Sequence, residues 1–226
     1  MSENQLNLKS STLEKGLDLA KEFLNKLMGP SVEEVGLLVS DNIRVWRFKN
    51  QIRLLNNVEK YIKKKKIKPK KVPLKILLPL LENASLEEEP LLNEMWENLL
   101  INYIDSSKNL NSIIFPKILS QLSTEDVIVL KKIRKFCNTL ISVGNKNHIK
   151  IPTSNISGYS LDRPFNIEEL SNLIRLNILK EIIQFNHSAF IILSSGRLEP
   201  QEEVITDDTI VLTEFGEKFI KACYTR

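Results

Sequence analysis

Between Arg44 and Lys75 thirteen lysines and arginines stand against a single acid, Glu59. Within that run, Arg44, Trp46, Arg47, Asn50, Arg53, Lys63, Lys64, Lys65 and Lys66 combine the residue types that recognise other macromolecules. Guanidinium and ammonium groups neutralise phosphates, amides hydrogen-bond, and an indole can stack on a base. The same groups would also meet an acidic protein face. A plainer reading stands beside these. Glu82 to Glu97 carries six glutamates and no base, so the two segments could satisfy each other inside the fold, with Lys63 to Lys71 as a solvated linker.

Other chemistry is sparse. His148 and His187 lie in no HxxxH or HxE spacing, and Cys137 and Cys223 form no CxxC pair, so neither a zinc site nor a disulfide scaffold is expected. The phosphate-cradling GxxxxGK[ST] loop, the GxGxxG turn and the GxSxG elbow are all missing. Glu87-Glu88-Glu89 could in principle hold a divalent cation, but consecutive carboxylates on a helix point different ways; a solvated face or a partner for Arg44 and Arg47 is the better reading. Both cysteines sit on apolar helical faces and read as core. No catalytic residue, metal or cofactor is expected, and the function reads as non-enzymatic.

The elements that must position the basic set are helices. Of 226 residues, 42% are hydrophobic and 27% charged, the balance of a soluble globular protein. Residues 1–11 read as a disordered tail without the apolar core of a secretory signal, and no apolar run approaches the ~20 residues a membrane span needs; a cytoplasmic protein is expected. Ser11 or Thr12 caps a first helix with Leu13, Leu17, Ala20, Phe23, Leu24 and Leu27 at helical spacing. Gly29-Pro30 ends it, and Ser31 starts a second helix to about Lys65. The stripe of that helix is Val35, Leu38, Val45, Phe48, Ile52, Leu55, Val58 and Ile62. Trp46, Asn50, Arg53 and Asn57 fall on the opposite side, and Arg44 falls inside the stripe, where it needs a buried partner. Further helices are expected over Leu74 to Asn83, kinked or split by Pro79, from Pro90 through Leu92, Met95, Trp96, Leu99 and Tyr103, and over Ile113 to Leu122.

At Ser123 the pattern changes. Ser123-Thr124-Glu125-Asp126 resembles a capping box opening a helix through Val127, Leu130, Ile133 and Phe136. A polar stretch, 142–165, reads as a loop or a partly ordered excursion. Asn166 then caps a helix, β-prone runs follow at Phe190 to Leu193 and Thr209 to Leu212, and Thr213 caps a last helix, Glu214 to Tyr224. The expected fold is mainly α: a helical domain over 12–122, then a winged-helix-like α+β domain over 123–226 with a hairpin as wing. Its second helix carries Glu168 and Glu169, unlike an element built for the major groove, so a packing or protein-contact module is expected there.

Gly29-Pro30-Ser31 to Asn50, with Gly36-Leu37-Leu38 and Arg44-Val45-Trp46-Arg47-Phe48-Lys49-Asn50, resembles the signature of the abortive infection alpha family. Val72-Pro73-Leu74-Lys75, Leu86-Glu87-Glu88, Leu92 to Asn102, Ser123 to Leu130 and Leu212 to Phe219 extend the likeness over most of the chain. The Lys63 to Lys71 run and the Asn-rich segment 142–157 depart from it. The resemblance implies a prokaryotic protein of phage resistance and carries over no catalytic residues. Three readings follow: a defence protein binding a host or phage protein, a nucleic-acid-binding regulator using 44–75 and the wing, or a toxin acting at a membrane surface.

Overall fold

The computed structural model describes residues 15–16, 18–20, 22–27, 42–142, 150–151, 165–192 and 198–224, and side chains at these positions apart from 42–46, 138–142, 150, 182–192 and 198–209. The expected tail 1–11, the helix start at Ser31 and most of the polar stretch 142–165, His148 included, lie outside the described residues, as do the side chains of Arg44, Trp46 and His187.

The described residues form a mainly helical protein with one small antiparallel sheet. The order is α1 (within 15–27), α2 (Asn42–Lys65), α3 (Leu74–Ala84), α4 (Pro90–Ile104), α5 (Phe115–Leu119), α6 (Thr124–Ser142), β1 (Lys150–Ile151), α7 (Ile167–Arg175), β2 (Leu179–Ile192), β3 (Leu198–Leu212) and α8 (Glu214–Cys223). Two compact units result: residues 1–124 with 221–226, and residues 125–220.

In the first unit, α4 is the central helix. Pro90 supplies its first turn, where a missing N–H costs nothing. From Asn98 to Asp105 every residue is buried, as expected of a helix surrounded on all sides. α2 packs on α3 and α4, and α5 packs on both α3 and α4. The expected stripe of α2 is buried at Ile52, Leu55, Val58 and Ile62, and Leu54 is buried as well. That extra residue lies off the stripe, so α2 is covered along more than one face. α3 is neither split nor ended by Pro79. A proline deprives the carbonyl four residues earlier of its donor, and here that residue, Lys75, is exposed to water.

In the second unit, α6 buries Val127, Leu130, Ile133, Phe136 and Cys137, and α7 buries Leu170 and Leu173. The sheet order is β1-β3-β2, all antiparallel. The polar stretch 142–165 contains a strand at Lys150–Ile151, paired with Val211 and Ile210, as the partly ordered reading allows. The hairpin is also far longer than expected, running from Leu179↔Leu212 to Ile192↔Leu198. Its register shifts between Glu181 and Ile183 and again between Asn186 and Ala189. Each shift breaks the period-two alternation by which a strand is recognised in sequence. Pro200, opposite Phe190, lies outside the part of β3 that pairs with β1.

Candidate binding surface

On the side of α2 expected to face outward Arg53 and Asn57 are exposed, but the polar side chains of α2 also form a seam against α3 and α4. Arg47 donates from Nε to Ser85 Oγ at 3.0 Å and from Nη2 to the Glu82 carbonyl at 3.5 Å. Asn50 Nδ2 donates to the Ser85 carbonyl at 3.0 Å, and Gln51 Nε2 to the Leu81 carbonyl at 3.3 Å. Arg53 reaches Asn93 Oδ1 at 3.3 Å and Asn57 reaches Glu97 Oε1 at 2.8 Å. The carbonyls of Leu81 and Glu82 belong to the last turn of α3, where the negative helix end favours a cation or amide, and there the α2 side chains share these acceptors with the Ser85 N–H and hydroxyl. The carboxylates expected as partners of Arg47 are thus replaced by a hydroxyl and a helix end. Glu87 instead holds its own loop, accepting from the N–H groups of Glu88 and Glu89 at 3.1 and 3.0 Å.

The lysines are placed differently. Lys63, Lys64 and Lys65 form the last turn of α2, whose negative helix end favours them. Lys63 pairs with Glu59 at 2.9 Å. Lys64, Lys65, Lys66, Lys68, Lys71 and Lys75 are exposed. The backbone beneath them is held at every second or third residue. Lys66 sits in the left-handed region at φ 55°; its N–H reaches the Lys63 carbonyl at 3.3 Å, and that of Ile67 reaches Ile62 at 3.0 Å. These are the two bonds of a Schellman helix stop, with half-buried Ile67 beside buried Ile62. Beyond it, Ser106 donates to the Lys68 carbonyl at 3.0 Å, Pro69 bridges Asp105, Lys70 donates to Ile104 at 2.7 Å, and Val72 to Leu27 at 3.2 Å. The run read as a linker is a fixed platform, and nothing in residue composition reveals the tertiary bonds that fix it.

Asp105 anchors the platform from below. Burial pushes its carboxyl up, but the Ser107 hydroxyl and N–H, then the charges of Lys108 and Lys70, together outweigh that and hold it below the usual range. The Ser107 bonds are 2.6 and 2.9 Å long. With its folded pKa below the unfolded one, this carboxylate stabilises the fold fully above the unfolded value of about 3.9 and progressively less as pH falls through the folded value. Asp105→Asn should therefore cost about 1 kcal/mol at pH 7 and almost nothing at the acid end of that titration, read by chemical denaturation across pH.

Asn98 and Asn102, one turn apart on α4, carry the end of α8. Asn98 Nδ2 donates to the Cys223 carbonyl at 3.1 Å, and Asn102 Nδ2 to the Ala222 carbonyl at 2.6 Å and the Asn98 carbonyl at 2.9 Å. Lys108 Nζ donates to Asn102 Oδ1, and Lys70 Nζ to the Lys108 carbonyl at 2.6 Å. Sequence reasoning passed over this buried pair; two amides four apart within the apolar second half of α4 were the available signal. Burial raises the thiol of Cys137 to about 11, with the charge of Glu217 adding to it, and pushes Cys223 up as well, so neither is a thiolate nucleophile at neutral pH. Among the described residues no group of three or more His, Cys, Asp or Glu could hold a metal ion, and no helix is long and apolar enough to cross a membrane.

A family model for abortive infection alpha matches residues 42–223. The chain belongs to the abortive infection alpha family. The match starts at Asn42, so it takes in Arg44 to Asn50, the lysine platform and all of the second unit, while Gly29 to Asp41 precedes it. No curated protein and no solved structure matches the chain. In this family member the Leu212 to Phe219 stretch has a structural reason. Thr213 Oγ1 accepts from the N–H of Gly216 at 2.8 Å, capping α8, and the Thr213 N–H donates to the Ile178 carbonyl at 3.0 Å.

Proposed function

We propose that this chain is a cytoplasmic antiphage protein of the abortive infection type that acts by binding a macromolecule rather than by catalysis. The observation that carries the binding reading is the row of exposed lysines on a fixed backbone, Lys64 to Lys75. The seam residues Arg47, Asn50 and Arg53 serve the fold first, so the lysines are the part of the basic set left for a partner. For the second unit we favour a winged-helix-like reading. Support comes from the order helix, short strand, helix, hairpin and from the sheet order β1-β3-β2. Its α7 opens on Glu168 and Glu169, charges that would repel phosphate in a groove, which supports a packing or protein-contact role there.

The test is phage challenge of cells expressing the chain. Abortive infection predicts fewer progeny phage with death of the infected cells, so that cultures survive only at low multiplicity of infection. Undiminished phage yield, or protection in which infected cells survive, would contradict it.

A further inference from the structure

We infer that the lysine platform is a binding surface for the phosphate backbone of nucleic acid. This rests on the binding reading above and names its partner class. Three observations carry it. First, the charge is uncompensated at the surface: Lys64, Lys65, Lys66, Lys68, Lys71 and Lys75 are exposed, and the local acids are engaged elsewhere, Glu59 with Lys63, Asp105 with Ser107, and Glu22, within range of Lys63, with Lys26. Second, the array is ordered in advance. The Schellman stop and the bonds to Leu27, Ile104 and Ser106 fix the chain that displays the lysines, so little backbone entropy remains to be lost on binding. Third, Lys66 occupies a left-handed backbone position that glycine would fill with less strain. A cation stands there at a cost to the fold, as residues do where a local function holds them.

A polyphosphate backbone suits this surface better than a bilayer. Between Lys64 and Lys71 the apolar side chains are few: Ile67 is half-buried, and Val72 beyond them is buried, which leaves that stretch mostly charge, and surface membrane binding needs an apolar anchor as well. No purine- or pyrimidine-reading amide lies among these lysines, so the binding is to backbone and indifferent to sequence.

The experiment uses the full chain and fluorescence anisotropy with a labelled ~30-nucleotide single strand and a ~30-base-pair duplex. If about four to six phosphates are neutralised, raising salt from about 50 to 200 mM weakens duplex binding roughly a hundred- to a thousandfold. Lys64→Gln/Lys65→Gln/Lys68→Gln/Lys71→Gln lowers the magnitude of the salt slope by about three to four. An equal charge removal elsewhere, Lys15→Gln/Lys117→Gln/Lys132→Gln/Lys180→Gln, leaves binding within a few fold. Lys66→Gly gives a protein at least as stable to heat as the parent that nonetheless binds several-fold more weakly, a combination that a purely structural role for Lys66 would not produce.

Undetectable binding at low salt overturns the inference. So do equal losses in the two quadruple variants, which would show a net-charge effect, and equal displacement by polyglutamate, which would show an acidic-protein site. Co-sedimentation with anionic phosphatidylglycerol vesicles without nucleic-acid binding overturns it too, and Leu74 and Leu78, each about two-fifths exposed on α3, make that the competing outcome. The two readings fail separately. No nucleic-acid binding, with phage protection lost in the Lys64-to-Lys71 variant, overturns the partner and keeps the binding role. Nucleic-acid binding with protection intact in that variant overturns the role of the platform in defence.

Discussion

Gly216→Ala should destabilise the protein by about 3 kcal/mol or more, at the upper end of what overpacking costs. A Cβ added at Gly216 would lie 2.2 Å from the Ile178 carbonyl oxygen and 2.9 Å from its carbon. Both are backbone atoms, so no rotamer change relieves the clash. The backbone at Ile178 has little freedom to retreat. Its carbonyl accepts from the Thr213 N–H, its own N–H is bonded to the Leu173 carbonyl at 2.9 Å, and Asn177 before it is left-handed at φ 56°. The next residue, Leu179, begins the pairing with Leu212. One methyl group would thus push α8 off the turn between α7 and β2. Thr213→Ala, which removes the cap and the hydroxyl's bonds to the Asn177 and Ile178 carbonyls at 2.7 and 3.0 Å but adds no clash, should cost about 1–2 kcal/mol. Calorimetry on both variants separates the two; a Gly216→Ala protein melting with the parent would refute the close approach.

Asn102→Ala should cost about 2–4 kcal/mol. The amide is 2% exposed, holds the Ala222 carbonyl in the last turn of α8, and accepts from the Lys108 ammonium. Truncation strands a buried carbonyl and removes the acceptor from a partly buried cation, and each unmade bond costs more than the made one contributed. Asn109→Ala, at an exposed neighbouring position, serves as the control and should stay within ~0.5 kcal/mol of the parent. Urea denaturation reads both. A loss at Asn102 no larger than at Asn109 would mean that α8 does not depend on this cap.

These two sites mark where sequence reasoning succeeds and where it stops. The buried rows Ile52, Leu55, Val58, Ile62 on α2 and Leu92, Met95, Trp96, Leu99, Tyr103 on α4 are legible because each helix keeps its apolar residues at a 3.6-residue period along the face that meets the core, although burial spreads beyond that face in both. Cys137 and Cys223 are buried, as their apolar faces imply. The polar seam is not legible. The angular arithmetic that finds the stripe places Asn50, Arg53 and Asn57 on the outward side, and Arg53 and Asn57 are exposed there, but it knows nothing of the second neighbour that they and half-buried Asn50 also reach. The strand over 179–187 is hidden by two register shifts, and the 198–208 half of the hairpin by its polarity. Gly216 shows the reverse case: a motif visible as likeness to a family, whose cause is a 2.2 Å approach that only coordinates reveal. The lysine run was conspicuous, but composition alone cannot tell a tether from a platform.

The account rests on those lysines acting as a surface for a partner, and phage challenge with paired variants tests this most directly. Cells would express the parent, the Lys64/Lys65/Lys68/Lys71→Gln variant, or the Lys15/Lys117/Lys132/Lys180→Gln variant, at matched levels and matched melting temperatures. The predicted result is loss of protection in the first variant alone. Full protection by that variant, or an equal loss in both, would contradict the account.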